Sequence, residues 1–214
     1  SLIDMAIISI ENVSLSIGTA QILRDISVSF EEGQIHGIIG RNGSGKTMLM
    51  KCICGFIRPT AGRIIVAGNQ VGRDVDFPPD LGLLIETPGF IPYYSGLKNL
   101  ELLAAVNRRA SKERLNTCME QLGLGNAKDK RVSKYSMGMR QRLGIAQAVM
   151  ENPRLLILDE PLNGLDEQGV EDIRALLLEL RGQGKTILLS SHNREDIDLL
   201  CDSVCKMEGG VLTR

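Results

Sequence analysis

The chain has few aromatic residues and almost no net charge. Of its 214 residues none is tryptophan, aromatic residues make up 3%, and 25 lysines and arginines stand against 26 aspartates and glutamates. Proteins that bind nucleic acids or anionic membranes generally carry a basic excess, and proteins that bind single strands stack bases on aromatic rings. We therefore expect no nucleic acid among the partners of this chain.

Cysteine is scarce, and its spacing fits neither a disulfide framework nor a thiolate metal site. The five cysteines are odd in number and form no Cys-x-x-Cys pair. Cys52 and Cys54 are two residues apart and would point to different sides of a helix. A zinc site needs paired thiols or nearby histidines, which disfavours the alternative of a metal site. We expect five reduced thiols and a cytosolic location.

Long apolar runs are also absent. No stretch approaches the roughly 20 apolar residues that span a bilayer, and no signal peptide is visible. The segment Ser1–Asp4 precedes Met5, which we interpret as the native start. The chain itself is therefore not expected to cross a membrane.

Apolar segments alternate with helical patterns over most of the chain. Strand patterns dominate before residue 87, helical patterns fill 87–151, and strand–helix alternation resumes at 152. Apolar strands separated by helices indicate a parallel sheet covered on both faces. We predict one α/β domain over 1–214, with a catalytic core in 1–86 and 152–214 and a helical sub-domain in 87–151.

The segment GRNGSGKT, Gly40 to Thr47, fits the phosphate-loop pattern G-x-x-x-x-G-K-[ST] at every fixed position. Glycines let the backbone curl so that N–H groups point at phosphate oxygens, and the following helix adds its positive dipole end. We expect Lys46 to reach the β- and γ-phosphates and the Thr47 hydroxyl to hold Mg²⁺. The alternative is a glycine-rich turn that happens to precede a lysine. The predicted nucleotide contacts here are Gly40, Asn42, Gly43, Ser44, Gly45, Lys46 and Thr47.

A second motif, LLILDE, is an apolar strand that ends in two acidic residues. Such a strand brings Asp159 to the carboxyl edge of a parallel sheet, where ligands bind. We predict that Asp159 holds Mg²⁺ and that Glu160 is the general base for an attacking water, a role worth about 10²–10⁴-fold in rate. The alternative is an acidic cap between a strand and a loop.

The two histidines are assigned different roles. His192 ends the motif SSH after another apolar strand, which places it at the same sheet edge and within reach of a γ-phosphate. His36 lies inside the strand before the phosphate loop, and we interpret it as a structural histidine with satisfied hydrogen bonds. The predicted catalytic residues are Lys46, Glu160 and His192.

Five motifs in order resemble those of an ABC-type ATPase subunit. GRNGSGKT, SMGMRQR, LLILDEP, NGLD and SSH resemble its Walker A, signature, Walker B, D-loop and H-loop, and the resemblance covers essentially the whole chain. It implies a P-loop NTPase (RecA-like) core with an antiparallel β sub-domain and an inserted α-helical sub-domain. It also implies ATP and Mg²⁺ as cofactors and ATP hydrolysis that drives a membrane protein.

The resemblance further implies a head-to-tail pair of ATPase domains, as a homodimer or a heterodimer. In such pairs ATP lies between the Walker motifs of one domain and the signature of the other. Carried over to this chain, Ser136 and Gly138 contact the γ-phosphate bound by the partner, and the D-loop, 163–166, follows the interface. Met137 and Met139 replace a glycine and the glutamine of the signature, and these soft side chains pack either at the dimer seam or against the helical segment.

Two further positions depart from the family pattern. Glu86 occupies the position of the Q-loop glutamine, where it can still bind ATP-associated Mg²⁺. Its extra charge must be offset by the metal or by a base such as Arg41. Ile17 occupies the position of an aromatic residue that stacks on adenine, which predicts a weaker contact with the base.

The combination of IETPGF with YSMGMRQRLGIA is similar to the ATPase subunits of bacterial bacitracin and lantibiotic exporters. This similarity implies a separately encoded permease and a cytoplasmic location on the inner face of the membrane through that permease. The loop 87–96, with Phe90, Ile91, Tyr93 and Tyr94, is the predicted docking surface; alternatively its aromatic residues fold back onto the helical segment. The implied exported molecule is an antimicrobial peptide or a drug. The alternative function is a soluble ABC-type ATPase that acts on ribosomes or DNA.

Overall fold

Ten β-strands and six α-helices form the described part of the chain, residues 6–86 and 89–214 of the computed structural model. The strands are β1 (Ala6–Ile17), β2 (Ala20–Glu31), β3 (Ile35–Ile39), β4 (Ala61–Val66), β5 (Asn69–Gln70), β6 (Leu81–Leu84), β7 (Leu155–Leu158), β8 (Thr186–Ser191), β9 (Ser203–Glu208) and β10 (Val211–Thr213). The helices are α1 (Lys46–Ile53), α2 (Gly96–Asn107), α3 (Lys112–Gln121), α4 (Met137–Val149), α5 (Glu167–Gly182) and α6 (Arg194–Leu200). The interpretation of Met5 as the native start concerns residues outside the described ranges.

Four strands from the first 70 residues form an antiparallel sheet in the order β2-β1-β4-β5. Strands β1 and β2 form a hairpin in which Ile17 pairs with Ala20. Its turn includes Gly18 at a φ of 60°, a conformation that glycine adopts without strain. This sheet is the antiparallel sub-domain that the family resemblance implies.

A six-stranded sheet, in the order β10-β9-β3-β8-β7-β6, positions the predicted motifs. Its strands from β9 to β6 are parallel, and β10 returns antiparallel after a turn at Gly209 and Gly210. Ile39 at the end of β3 is in register with Ser191 at the end of β8, and Leu84 of β6 is in register with Leu158 of β7. The residues that follow these four strands therefore leave the sheet at one edge, where sheets of this kind bind ligands.

Helices α2 to α4 lie between β6 and β7 in the chain. Each begins after a serine, Ser95, Ser111 or Ser136, whose hydroxyl accepts a backbone hydrogen bond from the first turn. An N-cap of this kind typically contributes about 1 kcal/mol. The helices overlap the helical sub-domain predicted for 87–151, whose exact bounds stay a prediction. Across the ranges 6–86 and 89–214, no helix is both long and apolar enough to cross a bilayer.

The parallel sheet separates two hydrophobic clusters. Along β7, Leu155 and Ile157 pack with α1 and the antiparallel sheet, while Leu156 and Leu158 pack with α2 to α4. Successive side chains of a strand point to opposite faces, so an apolar strand of this kind must be covered on both. The continuous apolar strands of the sequence are thus explained by a sheet that is buried on both faces.

His36 is a buried residue of β3 with both ring nitrogens in hydrogen bonds. Its Nδ1 lies 2.5 Å from the Ser203 hydroxyl, and its Nε2 lies 2.7 Å from the Glu31 carbonyl oxygen. Because a carbonyl oxygen only accepts, the neutral ring has its proton on Nε2 and accepts from Ser203 at Nδ1. Burial lowers the pKa of His36, although the Glu31 carbonyl and the Asp202 carboxylate act in the opposite direction. These contacts agree with the structural role predicted for it.

All five cysteines are free thiols, as expected. Burial raises the pKa of Cys52 to about 11 and that of Cys54 to about 12. Burial and two nearby aspartates raise the pKa of Cys201 to about 12. Since the thiolate is the reactive form of cysteine, these three thiols are unreactive near neutral pH.

We predict that His36 makes the fold less stable in mild acid. The unfolded chain takes up a proton at this histidine near the ordinary pKa of 6.5, whereas the folded chain does so only at lower pH. Stability from the neutral ring is therefore complete above about pH 6.5 and is lost as the pH falls below it. The substitution His36→Gln should reduce the decline of Tm between about pH 7.5 and about pH 5.5. Thermal unfolding of both proteins measures this difference, and parallel declines would contradict it.

Candidate functional site

The phosphate loop joins the end of β3 to the start of α1. Its backbone requires glycine at Gly43 and Gly45, where φ is 81° and 111°. Gly45 is also the N-cap of α1, and no side chain caps that helix end. The free N–H groups of the first helical turn therefore lie beside the loop, as an anion site requires.

The interior of the loop is tightly packed and contains an unsatisfied hydroxyl. A Cβ at Gly40 would lie 2.5 Å from the carbonyl oxygen of Met207 and 2.7 Å from Ser44 Oγ, so no larger residue fits there. Ser44 Oγ is buried and has no hydrogen-bond partner among the described residues. Buried hydroxyls normally have a partner. A phosphate oxygen in the loop would supply one, so the residues present fit a nucleotide.

Lys46 is a buried cation whose charge is balanced inside the chain. Its side chain donates a hydrogen bond to the Gly40 carbonyl oxygen and another, at 3.1 Å, to Glu160 Oε1. Only 4% of the residue is exposed. A buried charge requires such partners, since an unpaired one is strongly destabilising. The structure thus brings together two of the three predicted catalytic residues.

Asp159 and Thr47 meet at the same edge of the sheet. The Thr47 hydroxyl donates to Asp159 Oδ2 at 2.8 Å, and the Ser190 hydroxyl donates to Asp159 Oδ1 at 2.6 Å. Hydroxyl and carboxylate oxygens are the ligands that Mg²⁺ prefers. Among the residues that the structure describes, no group of three or more His, Cys, Asp or Glu side chains could hold a metal. Mg²⁺ at Thr47 and Asp159 would therefore take its remaining ligands from phosphate and water.

The carboxylate of Glu160 is fixed at both oxygens. Oε1 accepts from Lys46, and Oε2 lies 2.9 Å from His192 Nδ1, so that the proton of the ring points at the carboxylate. Glu160 also has a φ of 52°, in the left-handed region that non-glycine residues rarely adopt. Its N–H donates to Ser190 Oγ at 2.9 Å. His192, which is half exposed, thus contacts the predicted base directly.

Glu86 follows β6 and pairs with a lysine of the phosphate-loop helix. Its Oε1 accepts a hydrogen bond from Lys51 Nζ at 2.8 Å, and the Glu86 backbone has a φ of 60°. Arg41, the base expected to offset this charge, was the wrong choice, because Lys51 makes that contact one turn after Lys46 and Thr47.

Ile17 lies at the end of β1, and its side chain is half exposed. It does not line the cavity of about 500 Å³ beside the phosphate loop, which Ile22 lines together with Arg41, Lys46 and Thr47. The contact of Ile17 with adenine stays a prediction.

The signature segment begins α4 and contacts the D-loop of its own chain. Ser136 caps the helix through a bond from Met139 N at 3.2 Å. A Cβ at Gly138 would lie 3.3 Å from the Gly164 carbonyl oxygen, and the Met137 side chain lies against Gly164 as well. Met137 is 71% exposed, whereas Met139 packs against the helical cluster, which is one of the two alternatives considered for these residues. Packing of Met137 at a dimer seam stays a prediction.

Three contacts at the site were missed by the sequence reading. Gln141 Nε2 donates to the carbonyl oxygens of Glu160 and Pro161, both at 3.0 Å. Arg142 lies 3.7 Å from the Asp166 carboxylate. Lys51 is the third. The sequence indicates a role for these residues only through their positions, because each follows a motif residue on the same helix.

Comparison with known proteins agrees with this geometry. A family model described as ABC transporter matches residues 23–163. The Bacillus subtilis uncharacterized ABC transporter ATP-binding protein YybJ is 42% identical, over 96% of this chain and 94% of the relative. The bacitracin transport ATP-binding protein BcrA of Enterococcus faecalis is 39% identical, over 96% of this chain and 68% of the relative.

A solved structure shows the same fold. The dimeric post-hydrolysis structure of the ATP-binding cassette MJ0796, bound to ADP and Pi, superposes with a TM-score of 0.86 at 23% identity and covers 97% of both chains. The predicted P-loop NTPase fold class is thereby confirmed. Nothing among these similarities favours the alternative, an ATPase that acts on ribosomes or DNA. The chain belongs to the ABC transporter family and is the ATP-binding, ATP-hydrolysing subunit of such a transporter.

Proposed function

We propose that this subunit hydrolyses ATP in a head-to-tail pair of such domains to drive export of an antimicrobial peptide through a separate permease. The similarity to the bacitracin transport protein supports the peptide substrate. The permease would hold the chain on the cytoplasmic face of the membrane. The observation that supports hydrolysis most directly is the Glu160 carboxylate, held between Lys46 and His192 at the carboxyl edge of the sheet.

The arrangement assigns a role to each residue of the site. The phosphate-loop N–H groups and Ser44 bind phosphate oxygens, and Thr47 and Asp159 hold Mg²⁺, which offsets the phosphate charge. Lys46 binds the β- and γ-phosphates, so ATP binding must draw its ammonium group away from Glu160. The freed carboxylate then accepts a proton from the attacking water, while His192 keeps it oriented. In this way the chain exposes its base only when the nucleotide has arrived.

In the proposed pair, Ser136 and Gly138 bind a phosphate that belongs to the partner domain and not to their own chain. Ser136 is exposed at a helix start, where free N–H groups attract anions. The γ-phosphate of a second subunit would fill this position. The partner domain is either a second copy of this chain or a related one.

We predict that Glu160→Gln keeps ATP binding and nearly abolishes hydrolysis. The amide retains the shape of the side chain but cannot accept the proton, so the rate should fall by about 10²–10⁴-fold. The variant should accumulate as an ATP-bound dimer, measured by gel filtration, whereas Lys46→Ala should lose nucleotide binding itself. Adding Ser136→Arg to Glu160→Gln should remove the dimer. Hydrolysis by Glu160→Gln at the parental rate would exclude Glu160 as the base.

Some residues of the predicted docking loop fold back onto the helical segment, and others stay exposed. Phe90 packs against the helical cluster and Ile91 is partly buried, whereas Tyr93 and Tyr94 stay exposed with their ring centroids 4.8 Å apart. Helix α2, which follows directly, exposes three more apolar side chains, Leu102, Leu103 and Val106. Exposed apolar groups of this kind mark interaction surfaces. We propose these five side chains as the permease-docking surface; Thr87 and Pro88 lie outside the described residues.

We predict that Tyr93→Ser combined with Leu103→Glu uncouples the subunit from its permease. The charge and the lost ring remove apolar contact area without touching the nucleotide site. Co-purification of a membrane protein with the tagged chain should fall, and ATP hydrolysis by the isolated chain should stay at the parental level. Leu199→Glu, which alters an exposed leucine of α6, is the matched control. Unchanged co-purification would place the permease elsewhere.

The Lys51–Glu86 pair provides a test of the proposed Q-loop position. We predict that Lys51→Met weakens Mg–ATP binding by about two- to fivefold, as expected for a partly exposed pair worth roughly 0.5–1 kcal/mol. The reason is that Glu86 would be left as an uncompensated negative charge beside the triphosphate. Adding Glu86→Gln should restore the affinity, which calorimetry can measure for all four combinations. If the double variant binds no better than Lys51→Met, the pair has no role in nucleotide binding.

A further inference from the structure

The first turn of helix α4 is the proposed contact with a partner subunit. The inner face of the same helix contacts Glu160, the proposed general base of its own chain. Ser136 and Gly138 start the helix at the surface. Five residues after Ser136, the amide of Gln141 is directed inward and donates one hydrogen bond to the Glu160 carbonyl oxygen and one to that of Pro161, both at 3.0 Å. A primary amide has two N–H donors, and both are used here.

Hydrogen bonds hold both peptide groups that flank Glu160, and these set the direction of its side chain. The N–H of Glu160 donates to Ser190 of β8, and its carbonyl oxygen accepts from Gln141 of α4. The residue has a φ of 52°, so its backbone needs contacts that keep it in the left-handed region. Gln141 supplies such a contact from the helical segment, which is inserted between β6 and β7.

Other side chains of α4 contact the same region. Arg142 approaches the Asp166 carboxylate at 3.7 Å, and Met137 lies against Gly164 of the D-loop. Further along the helix, the Gln147 amide donates to the Leu83 carbonyl oxygen in β6. Helix α4 is thus attached to the strands that precede Glu86 and Glu160, and its first turn cannot shift without affecting these contacts.

We infer that Gln141 is a positioning residue through which the signature segment controls the general base of the same chain. This inference rests on the proposed function, which places the partner's γ-phosphate on Ser136 and Gly138 and the attacking water on Glu160. A phosphate bound at Ser136 and Gly138 stabilises the first turn of α4, and with it the hydrogen bonds by which Gln141 holds the backbone around Glu160. ATP at one site of the pair therefore prepares the base at the other site.

The test is the substitution Gln141→Met, which keeps the side-chain volume and removes both N–H donors. Turnover should fall by about tenfold or more, because small displacements of a catalytic group have effects of up to roughly 10²-fold. The KM for ATP should stay within about twofold, and the dependence of rate on ATP should become less cooperative. Gln141→Lys, which again offers donors to the two carbonyl groups, should recover part of the rate. Gln168→Met is the matched control, since Gln168 donates to Asp172 on the exposed side of α5.

A second measurement separates this role from damage to the signature. In the Glu160→Gln background, Gln141→Met should still form the ATP-driven dimer, because it leaves Ser136 and Gly138 intact. Loss of that dimer would mean that Gln141 supports the signature itself, and parental turnover of Gln141→Met would mean that the side chain only fills space. Either result overturns the inference. Failure of the proposed function would give a different result, namely parental hydrolysis by Glu160→Gln alone.

Discussion

The nucleotide site depends on parallel strands that end at the same level. The backbone ladder continues past the strand ends, where Asp159 N donates to the Leu84 carbonyl oxygen at 2.6 Å and Gly40 N donates to the Ser191 carbonyl oxygen at 3.2 Å. The first residues of the functional loops are therefore held by the sheet. Apolar side chains on both faces of the sheet keep these strands paired. Stability and function thus share one origin, since a shift in register would separate the carboxylates from the phosphate loop.

The two ion pairs at the site differ in how deeply they are buried. The Lys46–Glu160 pair is almost enclosed, and removing two such ions from water is costly, so stability alone does not explain its presence. The Lys51–Glu86 pair is more exposed and contributes little to folding. Both pairs join the phosphate-loop helix to a residue that follows a parallel strand. In the proposed function the triphosphate draws Lys46 away from Glu160, whereas Lys51 remains on Glu86 and offsets its charge.

The sequence predicted the site best where a function depends on residues that are adjacent along the chain. The phosphate loop and the acidic end of β7 are local patterns, and each lies at the end of a parallel strand as predicted. The partners of Glu86 and Glu160 could not be predicted, because Lys51 and Gln141 approach from distant parts of the chain with no periodicity that reveals the pairing. For the same reason Arg41 was a wrong choice: it lies in the phosphate loop, but the orientation of α1 presents Lys51 instead. The placement of Ile17 depends on the hairpin between β1 and β2, which composition did not reveal.

Two of the glutamates at this site, Glu86 and Glu160, have backbones in the left-handed region. Each such residue costs about 1–2 kcal/mol compared with glycine at the same position. The chain therefore gives up folding free energy at the two positions where β6 and β7 enter the site. Glycine at position 160 would relieve this strain but would remove the carboxylate of the proposed base, so a gain in stability there would be made at the expense of hydrolysis.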